Sequence, residues 1–238
     1  MSQNIFHEAT TRGHASHGWL DSFHTFSFAG YHNPERVHFG ALRVLNDDTV
    51  SGGEGFGRHP HDNMEIISIV LDGALEHKDS MGNTQAMPAG EVQVMSAGTG
   101  VAHSEYNHNK DRKVKFLQIW IFPDERNVTP RYDQKMFDAA ERKNQLQTLV
   151  SPVHNDDNGL KIHQNAWIYR TDLDAGKAID LTLKRPESGL YAFLINGNVK
   201  INGQEMRTRD GFGITDTDTI HIEALGASDL LLLEVPVR

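Results

Sequence analysis

The chain has 238 residues, no cysteine and a formal charge of −9 from 23 basic and 32 acidic side chains. That length suits one large β domain or two ordinary ones with cores that need no staples. The missing cysteines exclude thiol nucleophiles, cysteine-zinc sites and disulfide scaffolds, and the acidic balance argues against sequence-independent nucleic-acid binding, which needs a positive surface. Met1-Ser2-Gln3-Asn4-Ile5 carries neither a basic start nor an apolar segment, and no apolar run, residues 230–233 included, approaches a membrane span. A cytoplasmic protein with no membrane partner is the expectation.

Along the chain, short β-rich runs are separated by Gly, Asn and Asp turns. Residues 41–46 alternate and then meet Asp47-Asp48, read as a turn. Residues 64–71 form an apolar, β-branched run closed by Asp72-Gly73, a hairpin signal. Residues 74–79 lead into the turn Met81-Gly82-Asn83, residues 90–96 alternate, and residues 115–122 read as a buried strand ending at Pro123. This spacing points to a sandwich or closed barrel rather than a βαβ sheet. A short helix is expected over 137–143, and strands resume near 147–150. Residues 190–203, with their Asn196-Gly197-Asn198 turn, parallel residues 70–76, and 203–211 parallel 82–90, an internal duplication with its boundary near 135–150.

Two motifs carry chemistry. His59-Pro60-His61 and His103-Ser104-Glu105 each place two metal donors at i and i+2, which lie on one face of a strand. Two such strands facing one another present three imidazoles and one carboxylate. That set suits a divalent transition ion, iron in particular, with positions open for substrate or dioxygen. Ligation needs neutral histidine, so occupancy should fall as pH drops through the imidazole range. The second half has no His-x-His, and His163 has no donor at i+2. His77 and His108 read as partly exposed polar residues, the six histidines before residue 39 as surface or core-polar ones, and Trp19, Phe23, Phe28 and Phe56 as core rather than pocket.

The run from Arg12 through His14, His17, Trp19, Phe23 and His24 to Phe28 resembles the amino-terminal signature of the pirin family in the cupin superfamily. So do Gly55-Phe56-Gly57-Arg58-His59-Pro60-His61-Asp62-Asn63, His77-Lys78-Asp79-Ser80, and Ser96 through Val101-Ala102-His103-Ser104-Glu105. The resemblance implies an all-β bicupin: two cupin-type β-barrels of the double-stranded β-helix kind, with few short helices. A metal-binding cupin over 1–140 would precede a cupin without metal ligands over 141–238. It implies one metal, held by His59, His61, His103 and Glu105, most often Fe(II), with zinc, manganese, nickel and copper as alternatives. Glu65 fits the general cupin carboxylate position, and Gln93 stands where that pattern has its last histidine; in pirins His103 and Glu105 replace them. Some members resemble quercetin 2,3-dioxygenases, which implies a flavonol and O2 as substrates, with Glu105 swinging off the metal as the general base. The alternative is a metal-binding module that senses redox state and docks to a protein partner without turnover. A monomer is expected.

Overall fold

The computed structural model describes residues 4–237; residues 1–3, part of the stretch read for a leader, lie outside the described residues. The first half contributes β1 (Ile5–His7), β2 (Gly13–Ser16), β3 (Leu20–His24), β4 (Leu42–Val50), β5 (Gly55–His61) and β6 (Glu65–Asp72). It continues with β7 (Ala74–Asp79), β8 (Thr84–Pro88), β9 (Glu91–Ser96), β10 (Val101–Asn107), β11 (Val114–Ile121) and β12 (Arg131–Met136). A seven-stranded antiparallel sheet, in the order β12-β9-β6-β11-β4-β3-β2, packs against a four-stranded sheet of order β5-β10-β7-β8. Leu20, Val50, Val70 and Phe116 from the large sheet meet Leu75 and Met87 from the small one in the interior.

The second half repeats the plan. A seven-stranded sheet contains Trp167–Leu173, Ser188–Asn196 and Ser228–Pro236, and a four-stranded sheet contains Ala178–Thr182, Asn198–Ile201, Gln204–Arg207 and Thr219–Ala224. This is the expected bicupin, built as two pairs of sheets rather than two closed hydrogen-bonded rings. β1 crosses over to pair with Gly211–Ile214 at the edge of the second large sheet. His7 Nδ1 lies 2.7 Å from the Tyr191 hydroxyl, and the Ala9 amide donates to Asp210 Oδ1.

The two large sheets share one core. Leu45, Ile67, Ile69, Leu117 and Ile119 pack with Ile168, Tyr191, Phe193, Leu231 and Leu233 in a single buried cluster. The large-sheet strands are therefore covered on both faces, which is why 64–71 and 115–122 read as nearly continuous apolar runs instead of alternating ones. At the junction Gly40 has φ +51°, and a Cβ there would stand 2.1 Å from the Pro236 carbonyl oxygen, so only glycine fits this close approach.

Two expectations change. The segment 137–143 holds one 3₁₀ turn, Ala139–Arg142, whose first turn is capped by Asp138 accepting from the Ala140 amide. Asp47-Asp48 is not a turn: β4 runs through it to Val50, with Asp48 opposite Ser22 on one side and Phe116 on the other. Pairing on both edges overrides the local turn preference of aspartate. Each aspartate is also satisfied: Asp47 pairs with Arg12 (3.2 Å) and Arg209 (3.0 Å), and Asp48 accepts from Ser22 Oγ.

Because the core cluster spans both halves, we expect Leu231→Ala to cost about 2–5 kcal/mol and to move a single calorimetric transition of the whole chain. Two separable transitions, only one of them shifted, would contradict a shared core.

Candidate active site

β5 and β10 do not face each other across the interior. They are neighbours in the small sheet, with His103 directly opposite His59. The register slips by one between His103 and Glu105, so Glu105 pairs with Phe56 and an extra residue bulges out at Gly57-Arg58. Bulges of this kind re-aim side chains next to functional sites. Here the Gly57 carbonyl stands 2.7 Å from His59 Nδ1, which makes Nδ1–H the donor and leaves Nε2 as a lone-pair ligand.

Donor atoms of His59, His61 and His103 all lie within 4.8 Å of one another, and an overlapping group joins His103 to Glu105 and His77. His61 Nε2 and His103 Nε2 are buried with no hydrogen-bond partner, an arrangement that costs free energy unless something else binds them. Burial, reinforced by neighbouring imidazoles, lowers His61 to about 4 and His103 to about 3. Both are neutral at pH 7, the form that ligates, and their protonation moves well below the ordinary imidazole range expected from sequence. Orphaned, converging, neutral nitrogens beside a carboxylate fit a divalent transition ion.

Glu105 is held on both oxygens. Gln93 Nε2 (2.7 Å) and Ser68 Oγ (3.0 Å) donate to Oε1, and Gln118 Nε2 (2.6 Å) donates to Oε2. Gln93 thus clamps the carboxylate instead of supplying the imidazole of the general cupin pattern. Glu65 is not in either donor group; its Oε2 accepts from Ser96 Oγ at 2.7 Å. His77, expected to be partly exposed, is fully buried. Its Nε2 lies 2.9 Å from Asp79 Oδ2, its ring stacks on Tyr132, and its Nδ1 is 3.5 Å from His103 Nδ1. Burial works against the Asp79 carboxyl, yet hydrogen bonds from Asn83, His77 and the Met81 amide hold it below the usual carboxylate range. His108, as expected, is exposed and pairs with Glu76.

Next to the cluster, between the two sheets, lies a largely apolar cavity of about 320 Å³. His59 and Glu105 line it from the small sheet, and Gln118 and Trp120 from β11. Phe28 and Phe56 also line it, against the expectation of core positions, while Trp19 packs edge-on against Phe56 and Phe23 stacks on His14. The far wall holds Ser22, His24, Asn46 and Asp48, none of which the sequence reading assigned to the site. Their i, i+2 spacing on β3 and β4 was a usable signal, hidden by reading Asp47-Asp48 as a turn.

Residues 6–121 match the family model Pirin, and residues 148–235 match the quercetinase C-terminal cupin domain. Over 231 residues the chain is 47% identical to a quercetin 2,3-dioxygenase of Escherichia coli (strain K12), covering 96% of this chain and 97% of the relative. The chain belongs to the pirin family. A pirin-like protein of Caulobacter vibrioides is 41% identical, over 93% of this chain and 95% of its own length. The solved structure of the bacterial pirin YhhW from Escherichia coli in complex with nickel(II) superposes with a TM-score of 0.92 at 44% identity, covering 98% of this chain and 99% of that one.

One buried carboxyl of this pirin gives a clean pH test away from the cluster. Burial raises Glu65 to about 7, against hydrogen bonds from Ser96 and the His163 backbone. A folded-state pKa above the unfolded one means stability is full below pH 4.5 and declines as pH rises through 7. We expect Glu65→Gln to raise the melting temperature relative to wild type at pH 8 and to leave it nearly unchanged at pH 5. An equal effect at both would contradict the raised carboxyl.

Proposed function

We propose that this chain is a metal-dependent dioxygenase that opens the ring of quercetin or a related flavonol with O2 and releases carbon monoxide. The observation that carries this reading is the convergence of three imidazoles on the edge of an aromatic-lined cavity with room for a small planar ligand. Relatives named quercetin 2,3-dioxygenase support the substrate class, and the relative solved with nickel(II) supports a divalent ion.

His59, His61, His103 and Glu105 would hold that ion, which we take to be Fe(II), although zinc, manganese, nickel and copper accept the same donors. When bound, it supplies Lewis-acid polarisation of a substrate hydroxyl and a redox centre for chemistry with dioxygen. The side chains do the rest. Trp120 and Phe28 meet edge to face at 5.4 Å, and with Phe56 they form apolar walls that admit a flat ring and exclude water. Three donors on Glu105 tether it as a ligand, which weighs against the mobile base expected from sequence. Asp79 fixes His77, and His77 in turn fixes the ring of His103.

Protein loaded anaerobically with ferrous iron, then given quercetin and air, is expected to release carbon monoxide, and His59→Ala is expected to release none. No release from the iron-loaded wild type would overturn the flavonol reading. Asp79→Asn is expected to weaken metal binding about 10–100-fold in a chelator competition. Unchanged affinity would show that the His77 contact does not orient His103.

A further inference from the structure

The far wall of the cavity is a built polar site that the metal cluster does not use. His24 Nε2 lies 2.8 Å from Ser22 Oγ, and Ser22 Oγ donates to Asp48 Oδ1. All three are at least nine-tenths buried, and all line the cavity. With Ser22 donating to Asp48, the serine oxygen accepts from His24 Nε2–H, so His24 Nδ1 is left as an acceptor. That atom is buried without a partner, as is Asn46 Oδ1 beside it. Buried polar atoms left unpaired on a cavity wall are where a ligand's own polar group belongs.

The position of this wall sets what it can bind. His24 pairs with Asn46, and Asn46 with Gln118, the residue that holds Glu105. His24 therefore stands two strand spacings, roughly 9–10 Å, from Gln118 across the sheet. His59 and Glu105 line the same cavity as His24, so one ligand that spans it meets both walls.

Resting on the flavonol reading above, we infer that the cavity takes a polyphenol by both ends, with a second phenolic hydroxyl giving its proton to the relay His24–Ser22–Asp48. The substrate O–H proton passes to His24 Nδ1. The Nε2 proton passes to Ser22 Oγ, and the serine proton passes to Asp48 Oδ1. The net change is a phenolate and a neutral aspartic acid, with Ser22 and His24 restored in the opposite tautomer.

Burial raises Asp48 to about 7, with Asp47 and Glu105 reinforcing and the Ser22 hydrogen bond opposing. Burial, and then His14, lowers His24. Phe28 and Tyr31 pack against the His24 ring, β11 lines the cavity with the uncharged Gln118 and Trp120, and His17, His59 and Glu105 are the other titratable side chains on its walls. Above pH 7 Asp48 is free to take the proton; below it the relay is already filled.

The test binds quercetin to zinc-loaded protein under nitrogen and follows its phenolate absorption with pH, beside turnover of quercetin and of 3-hydroxyflavone, which lacks the second hydroxyl, by the iron-loaded enzyme. Wild type should show a phenolate limb near pH 7. Asp48→Asn and Ser22→Ala should lose that limb at unchanged metal content, and the preference for quercetin over 3-hydroxyflavone should fall about 100-fold. If Ser22→Ala does not fold, Asp48→Asn alone decides. Turnover by wild type with an unaltered limb and preference in Asp48→Asn overturns the relay and leaves the flavonol reading standing. A limb that depends on Asp48 without turnover supports the relay and overturns the dioxygenase reading. Failure to bind quercetin at all overturns both.

Discussion

A row of buried polar side chains crosses the inner face of the first large sheet, and the site hangs from it. His24, Asn46, Gln118, Ser68 and Gln93 stand on five adjacent strands in register. Such a row inside an apolar sandwich is costly unless its members find partners. Gln118, Ser68 and Gln93 find theirs in Glu105, which reaches across from the small sheet. The carboxylate cannot move without orphaning three donors, and its position on β10 sets that of His103 two residues before it.

The cluster also shows how a pair of open sheets makes a rigid centre from a flexible motif. His-x-His alone gives direction without distance. Distance comes from hydrogen bonding between β5 and β10, which sets His59 opposite His103, and from the bulge at Gly57-Arg58. The second half has the same sheets, but the strand that matches β10, Thr219–Ala224, leaves its His221 exposed and paired with Asp180 on the neighbouring strand. What it contributes is cover for the outer face of β4, β6, β9 and β11, burying Leu45, Ile67, Val94 and Ile119.

Much of this was legible before any coordinates. The hairpins, the duplication and the spacing of His59, His61, His103 and Glu105 follow from period-two patterning, which a strand translates directly into a shared face. What escaped depended on partners distant in sequence. His77 looks like any strand histidine until Asp79 and His103 enclose it. Gln93 looks like a lost ligand until Glu105 arrives to accept from it. Asp47-Asp48 carries the composition of a turn, and only Arg12, Arg209 and Ser22, from three other parts of the chain, make it a strand.

Those adjacent aspartates have opposite addresses. Asp47 faces the junction, held by an arginine from each half, and Asp48 faces the cavity. One peptide unit separates the seam from the chemistry. Any slide of one half against the other that disturbs Arg209 must be absorbed by the stretch of β4 that sets the depth of Asp48. The half that carries Arg209 is thereby geared to the cavity through β4, in addition to the core that the two halves share.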